Sequence, residues 1–260
     1  MLQIIISPAK KMNIVDSMDL SPTPPTFLSQ TKEIHTHLLN MTEEELKTLW
    51  KCSDKLTEQN YIRLHTYNLE QNVTPALLSY EGIQYQTMAP QVFSESQWEY
   101  VNTHLNILSG FYGVLRPTDG VIPYRLEMQA KLKLNTTKDL YEYWGDTLYK
   151  QLRQNLSNKK EIINLASAEY SKAILPYLEP DISCITCVFG EINDQKVKVK
   201  ATQAKIARGE MVRWMAEKQI EKSEDVKNFC SLDYEFCEDL SSEKEYVFIK
   251  KGHSELKSGT

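Results

Sequence analysis

Nothing in these 260 residues reads as a membrane span, because the apolar runs are short. The first of them, Leu2 to Ile6, is too brief for the core of a secretory signal and has no basic segment ahead of it. The chain is also poor in cysteine. Five are an odd number in a chain long enough to fold without staples, so reduced thiols are expected and a disulfide scaffold is excluded. A general excess of basic residues is missing too: the formal net charge is -5, which rules out a protein that attracts nucleic acid over its whole surface. There are no internal repeats and no low-complexity segments. With 41% hydrophobic residues the chain can bury a substantial core, and a cytoplasmic protein is the expectation.

The average charge hides a segregation. Residues 193 to 216 carry six cations, Lys196, Lys198, Lys200, Lys205, Arg208 and Arg213, against Asp194 and Glu210. Residues 217 to 246 carry ten acidic and four basic side chains. Such asymmetry permits a basic groove on an acidic protein, or merely two solvated faces.

Leu2 to Ile6 predicts a buried strand ending at Ser7-Pro8. Residues 28 to 80 are helical in short pieces, with Thr42 and Glu45 forming a capping box and Pro75 opening another piece after Thr74. Trp98, Val101, Leu105 and Leu108 recur at helical spacing behind a second capping box, Ser94 with Gln97, so a helix is expected to run to Gly110. The longest helical pattern spans 139 to 156, and its interior Gly145 implies close packing or a break. Ile162 to Leu165 is a short strand. Ile182 to Phe189 and Lys196 to Ala201 flank Asn193-Asp194 as an antiparallel hairpin. The helix that follows puts Ala204, Ala207, Met211 and Trp214 on its inner stripe, and Tyr246 to Ile249 predicts a last strand. This order implies an α+β (mixed α/β) fold: one compact domain over residues 1 to 250, with a mixed or antiparallel sheet, surrounding helices and a tail at 251 to 260.

The stretch Ile107-Leu-Ser-Gly-Phe-Tyr-Gly-Val-Leu-Arg-Pro-Thr-Asp-Gly-Val-Ile-Pro-Tyr-Arg-Leu-Glu-Met128 combines glycine punctuation, aromatics and two arginines. It resembles the signature of the YaaA family of peroxide stress proteins. Further blocks agree with that family in order: Ile6-Ser-Pro-Ala-Lys10, Ser53-Asp-Lys-Leu56 with Asn60, Asp139-Leu-Tyr-Glu-Tyr-Trp-Gly-Asp146, Ile163-Asn-Leu-Ala-Ser-Ala-Glu-Tyr170 and Lys205-Ile-Ala-Arg-Gly209. The resemblance implies a cytoplasmic protein linked to survival of peroxide stress and to lower free iron, with a DNA-binding helix-hairpin-helix element. It brings no reaction and no cofactor.

A hairpin of that kind points the amides of a glycine turn, and nearby cations, at phosphate oxygens. Gly110 and Gly113 fit in part, although they stand three apart and Pro117 and Gly120 shorten any second helix. Lys10, Arg116, Arg125, Lys205, Arg208 and Arg213 are the cations expected to meet DNA phosphates. Arg116 with Asp119, and Arg125 with Glu127, are equally readable as internal salt bridges. Asp146 and Glu169 are the candidate acid and base if the same cleft is an enzyme site for a nucleotide or another phosphorylated small molecule. The cysteines and the five histidines lack ligand spacing: Cys184 and Cys187 sit three apart on a strand, on opposite faces, so no metal site is expected.

Overall fold

The computed structural model describes residues 1–15, 20–156, 160–194 and 196–251. The tail expected at 251 to 260 therefore lies outside the described residues except for Lys251. The main sheet contains β1 (Gln3–Ile6), β2 (Leu105–Ser109), β3 (Gly113–Leu115), β4 (Glu161–Leu165), β5 (Ser183–Asn193), β6 (Lys196–Lys198), β7 (Tyr234–Phe236) and β8 (Glu245–Lys250). Its order is β7-β8-β5-β4-β1-β2-β3, with β6 paired to β5. The five central strands β8, β5, β4, β1 and β2 run parallel, and β7, β3 and β6 are antiparallel to their neighbours. The fold is thus a compact mixed α/β domain with a mixed sheet.

The parallel centre explains the composition of its strands. Gln3 to Ile6 and Leu105 to Ser109 are buried throughout, as strands covered on both faces must be. Two polar members of this centre pair with each other, Asn106 Nδ2 donating to Gln3 Oε1 at 2.9 Å. Helices α1 (Leu28–Leu39), α2 (Glu43–Trp50), α3 (Asp54–Thr66), α4 (Ile83–Met88), α5 (Glu95–His104), α6 (Leu140–Trp144), α7 (Thr147–Asn155) and α8 (Ala201–Lys218) surround the sheet. Both expected capping boxes form, at Thr42 with Glu45 and at Ser94 with Gln97. The expected inner stripe of α8 is buried from Ala204 to Trp214.

One sequence expectation is corrected, and one left open is decided. The helix that opens at Ser94 ends at His104, and Leu105 begins a strand, so Gly110 and Gly113 turn one antiparallel strand into the next. No helix-hairpin-helix forms there. The turn is core: Phe111 and Tyr112 are buried, and their amides donate to Ser109 Oγ at 3.1 and 2.9 Å. Trp144 covers it, its indole N–H donating to the Gly110 carbonyl at 3.0 Å. The pattern from 139 to 156, where close packing or a break is expected at Gly145, is broken there: its φ of 48° ends α6 before α7 begins.

Candidate functional site

β1 is the pivot of the chain. From it the path runs to β2 on one side, and β4 on its other side leads away to β5. Connections leaving in opposite directions open a crevice beyond the carboxyl ends of β1 and β4, the position at which open α/β sheets bind ligands. A cleft of about 390 Å³ occupies it. Its floor comes from the loops that leave the two strands, which are tied together where the Ser167 amide donates to Ser7 Oγ at 2.8 Å. The Tyr85 hydroxyl on α4 fastens the first loop by donating to the Ser7 carbonyl at 2.9 Å.

Four of the sequence-predicted cations line this cleft: Lys10 after β1, Arg125 from the signature stretch, and Lys205 and Arg208 one turn apart on α8. Two carboxylates join them. Glu127 is 12% exposed, and its Oε1 lies 3.0 Å from Arg125 Nη2 and 3.2 Å from Lys10 Nζ. The Arg125 salt bridge foreseen in the sequence therefore forms, inside the cleft and not instead of it. Glu169 Oε1 accepts from the Gln129 amide at 3.3 Å. Burial pushes its carboxyl above the usual range, and the charge of Glu127 adds to this; the Gln129 and Met128 amides and Lys10 pull the other way. Arg208 is half-buried, burial disfavours its charged form, and no carboxylate pairs with it among the described residues.

Both walls rest on glycines that permit backbone to meet backbone. A Cβ on Gly110 would stand 2.9 Å from the Leu126 carbonyl oxygen and 3.0 Å from Met128 N, so its absence lets the segment bearing Glu127 lie on the β2–β3 turn. A Cβ on Gly209 would stand 2.1 Å from the Gln84 carbonyl oxygen, where α8 crosses α4. That crossing brings Arg208 beside Gln84, which the sequence reading missed. Its only signal was a glycine in the interior of a helix.

The remaining expected residues are elsewhere. Arg116 is committed to Asp119, through Nε at 3.1 Å and Nη2 at 3.0 Å, while its amide donates to the other carboxylate oxygen at 2.9 Å. Asp119 is fully buried and also accepts from Thr23 Oγ1 at 3.0 Å, so this pair is the structural salt bridge that the sequence left open. Replacing Arg116 by alanine is expected to cost about 1–2 kcal/mol in urea unfolding while leaving DNA affinity within about twofold. Arg213 pairs with Glu217 one turn along α8. Asp146 precedes α7 without a side-chain cap bond, pairs with Lys150 and does not line the cleft. Gly110 and Gly113 are buried in the core turn and do not line the cleft.

β5 continues past the end of β4 by several residues and returns as β6, so a hairpin arm projects from the same edge of the sheet as the cleft. Lys196 and Lys198 are exposed on it, and Lys200 at its end pairs with Glu191. The five cysteines are free thiols; burial pushes Cys184 up to about 12 and raises Cys187 as well. Among the described residues, no cluster of three or more histidine, cysteine, aspartate or glutamate side chains is placed to hold a metal ion, and no helix is long and apolar enough to cross a membrane.

Known proteins match nearly the whole chain. Residues 2–240 fit the model of a family described as peroxide stress protein YaaA. A protein of Pediococcus pentosaceus named UPF0246 protein is 51% identical over 250 residues, covering 96% of this chain and 98% of its own. Those of Agathobacter rectalis and Lachnoclostridium phytofermentans, named likewise, are 52% and 51% identical over 251 residues, covering 96% of this chain and 99% and 96% of their own. Similarity of this extent, carried through every segment that builds the cleft, settles the assignment: the chain belongs to the YaaA family of peroxide stress proteins.

Proposed function

We propose that this peroxide stress protein works in the cytoplasm by binding DNA non-specifically through the cleft, with the β5–β6 arm as an outer grip. The observation that supports this reading is the convergence of Lys10, Arg125, Lys205 and Arg208, from three distant parts of the chain, on one crevice of a protein whose net charge is -5. Lys205 and Arg208 have no ion-pair partner among the described residues, so their charge is available to a phosphate. No reading of base edges is needed for such a grip, and no cofactor is required. Cations that occupy DNA phosphates displace the counterions held there, ferrous iron included. This links the binding to protection against iron-dependent oxidative damage.

Fluorescence anisotropy of a labelled duplex, titrated with the full chain, tests the reading. Contact with about four phosphates predicts a log–log salt slope of about -3.6, hence about a 150-fold loss of affinity between 50 and 200 mM salt. Absence of binding at low salt, or an affinity indifferent to salt, would refute it. Glu169 adds a pH dependence of defined sign. Protonation removes a negative charge from the cleft, so affinity should rise as pH falls through the raised range of this carboxyl. In Glu169→Gln that part of the dependence should vanish, as measured by the same titration at several pH values.

A further inference from the structure

Six buried side-chain nitrogen or oxygen atoms have no hydrogen-bond partner among the described residues, and four of them belong to residues that line the cleft: Gln84 Nε2, Arg125 Nε, Glu127 Oε1 and Arg208 Nε. Proteins satisfy nearly all such groups, so a concentration around one cavity marks a place where a ligand completes the bonding. Their chemistry is mixed. Three are donors, and the fourth is a carboxylate oxygen that touches cations only as charge against charge. A bare phosphate offers acceptors alone; it suits Arg208 and Lys205 but is repelled by Glu127 and Glu169.

A ligand that meets the whole set carries a phosphate together with a flat edge bearing both donors and acceptors. We infer that the cleft seats one unpaired nucleotide, its phosphate on Lys205 and Arg208 and its base edge toward Gln84 and Glu127. A nucleobase supplies amino or ring N–H donors to the carboxylate and carbonyl or ring-nitrogen acceptors to the amide and guanidinium. The volume of about 390 Å³ falls in the range of small-molecule sites, and the rings of Tyr124 and Tyr170 line it with apolar surface. Paired bases keep these edges occupied, so the nucleotide comes from a single strand, a strand end or a base turned out of the duplex. The inference rests on the DNA reading for its context but is testable apart from it.

Isothermal titration of the full chain with dGMP, dCMP, deoxyribose 5-phosphate and inorganic phosphate is the direct experiment. At least one of the two nucleotides should bind at least about tenfold more tightly than deoxyribose 5-phosphate, with inorganic phosphate no tighter than the sugar phosphate. Glu127→Gln and Gln84→Ala, both checked for native thermal unfolding, should each shrink that preference while retaining phosphate binding. Nucleotides that bind no better than deoxyribose 5-phosphate, or a preference unchanged in both variants, would overturn the inference. Duplex DNA titrated in parallel separates the two ideas. DNA binding without nucleotide preference sinks the nucleotide pocket alone, whereas nucleotide preference without DNA binding sinks the DNA reading and retains the pocket.

Discussion

Reversing three charges at once, Lys10→Glu, Lys205→Glu and Arg208→Glu, is expected to lower duplex affinity about a thousandfold at 50 mM salt and to flatten the salt slope by about three. The three side chains face one crevice already holding Glu127 and Glu169, so each reversal replaces an attraction with a repulsion in a confined space. Lys10 and Lys205 are exposed, and their reversal does not disturb packing. The double variant Lys10→Glu with Lys205→Glu therefore guards against a folding artefact from half-buried Arg208, and should lose about a hundredfold. Anisotropy titrations with both variants, beside Arg116→Ala as a control outside the cleft, decide the matter. Equal affinities in these three variants and the unaltered protein would mean that DNA, if bound, lies on another face.

The second large effect concerns stability. Gly209→Ala is expected to destabilise the fold by at least about 3 kcal/mol, because the new methyl group would lie 2.1 Å from the Gln84 carbonyl oxygen. The obstacle is main chain, at 3.0 Å from the Gln84 carbonyl carbon as well, so no rotamer change relieves it. α8 would have to move away from α4. Alanine is the better helix former by about 1 kcal/mol, which makes the sign of the result diagnostic. Urea unfolding should show a lowered midpoint, and thermal unfolding a fall of about 6–12 °C. A rise in stability would show that the two helices do not approach so closely. Because this crossing carries Gln84 and Arg208 into the cleft, any surviving fold should also bind DNA less well.

Much of the architecture was legible in the sequence, and the failures have identifiable causes. Capping boxes state their own geometry, so the starts at Thr42 and Ser94 could be read directly. The strand from Leu105 to Ser109 could not. It is buried on both faces, and the order Leu105-Asn106-Ile107-Leu108-Ser109 has no regular alternation to distinguish it from the continuation of a helix. That error carried the helix-hairpin-helix expectation with it. Among the cations, local partners separate the outcomes: Arg116 has Asp119 three residues on, and Arg213 has Glu217 four residues on. Lys10, Lys205 and Arg208 have no acid at those distances in the sequence, and these three reach the cleft. Arg125 reaches it in company with Glu127. Gln84 was invisible because nothing in a sequence announces which distant backbone a helix glycine will touch.

The contact of Gly110 with Leu126, Glu127 and Met128 is made by main-chain atoms on the far side. The gauge that sets the height of Glu127 on this side is therefore peptide and not side chain, while the Leu126 and Met128 side chains are themselves buried in the core. Gly110 does not line the cleft, yet a side chain there would displace the acidic wall as a unit.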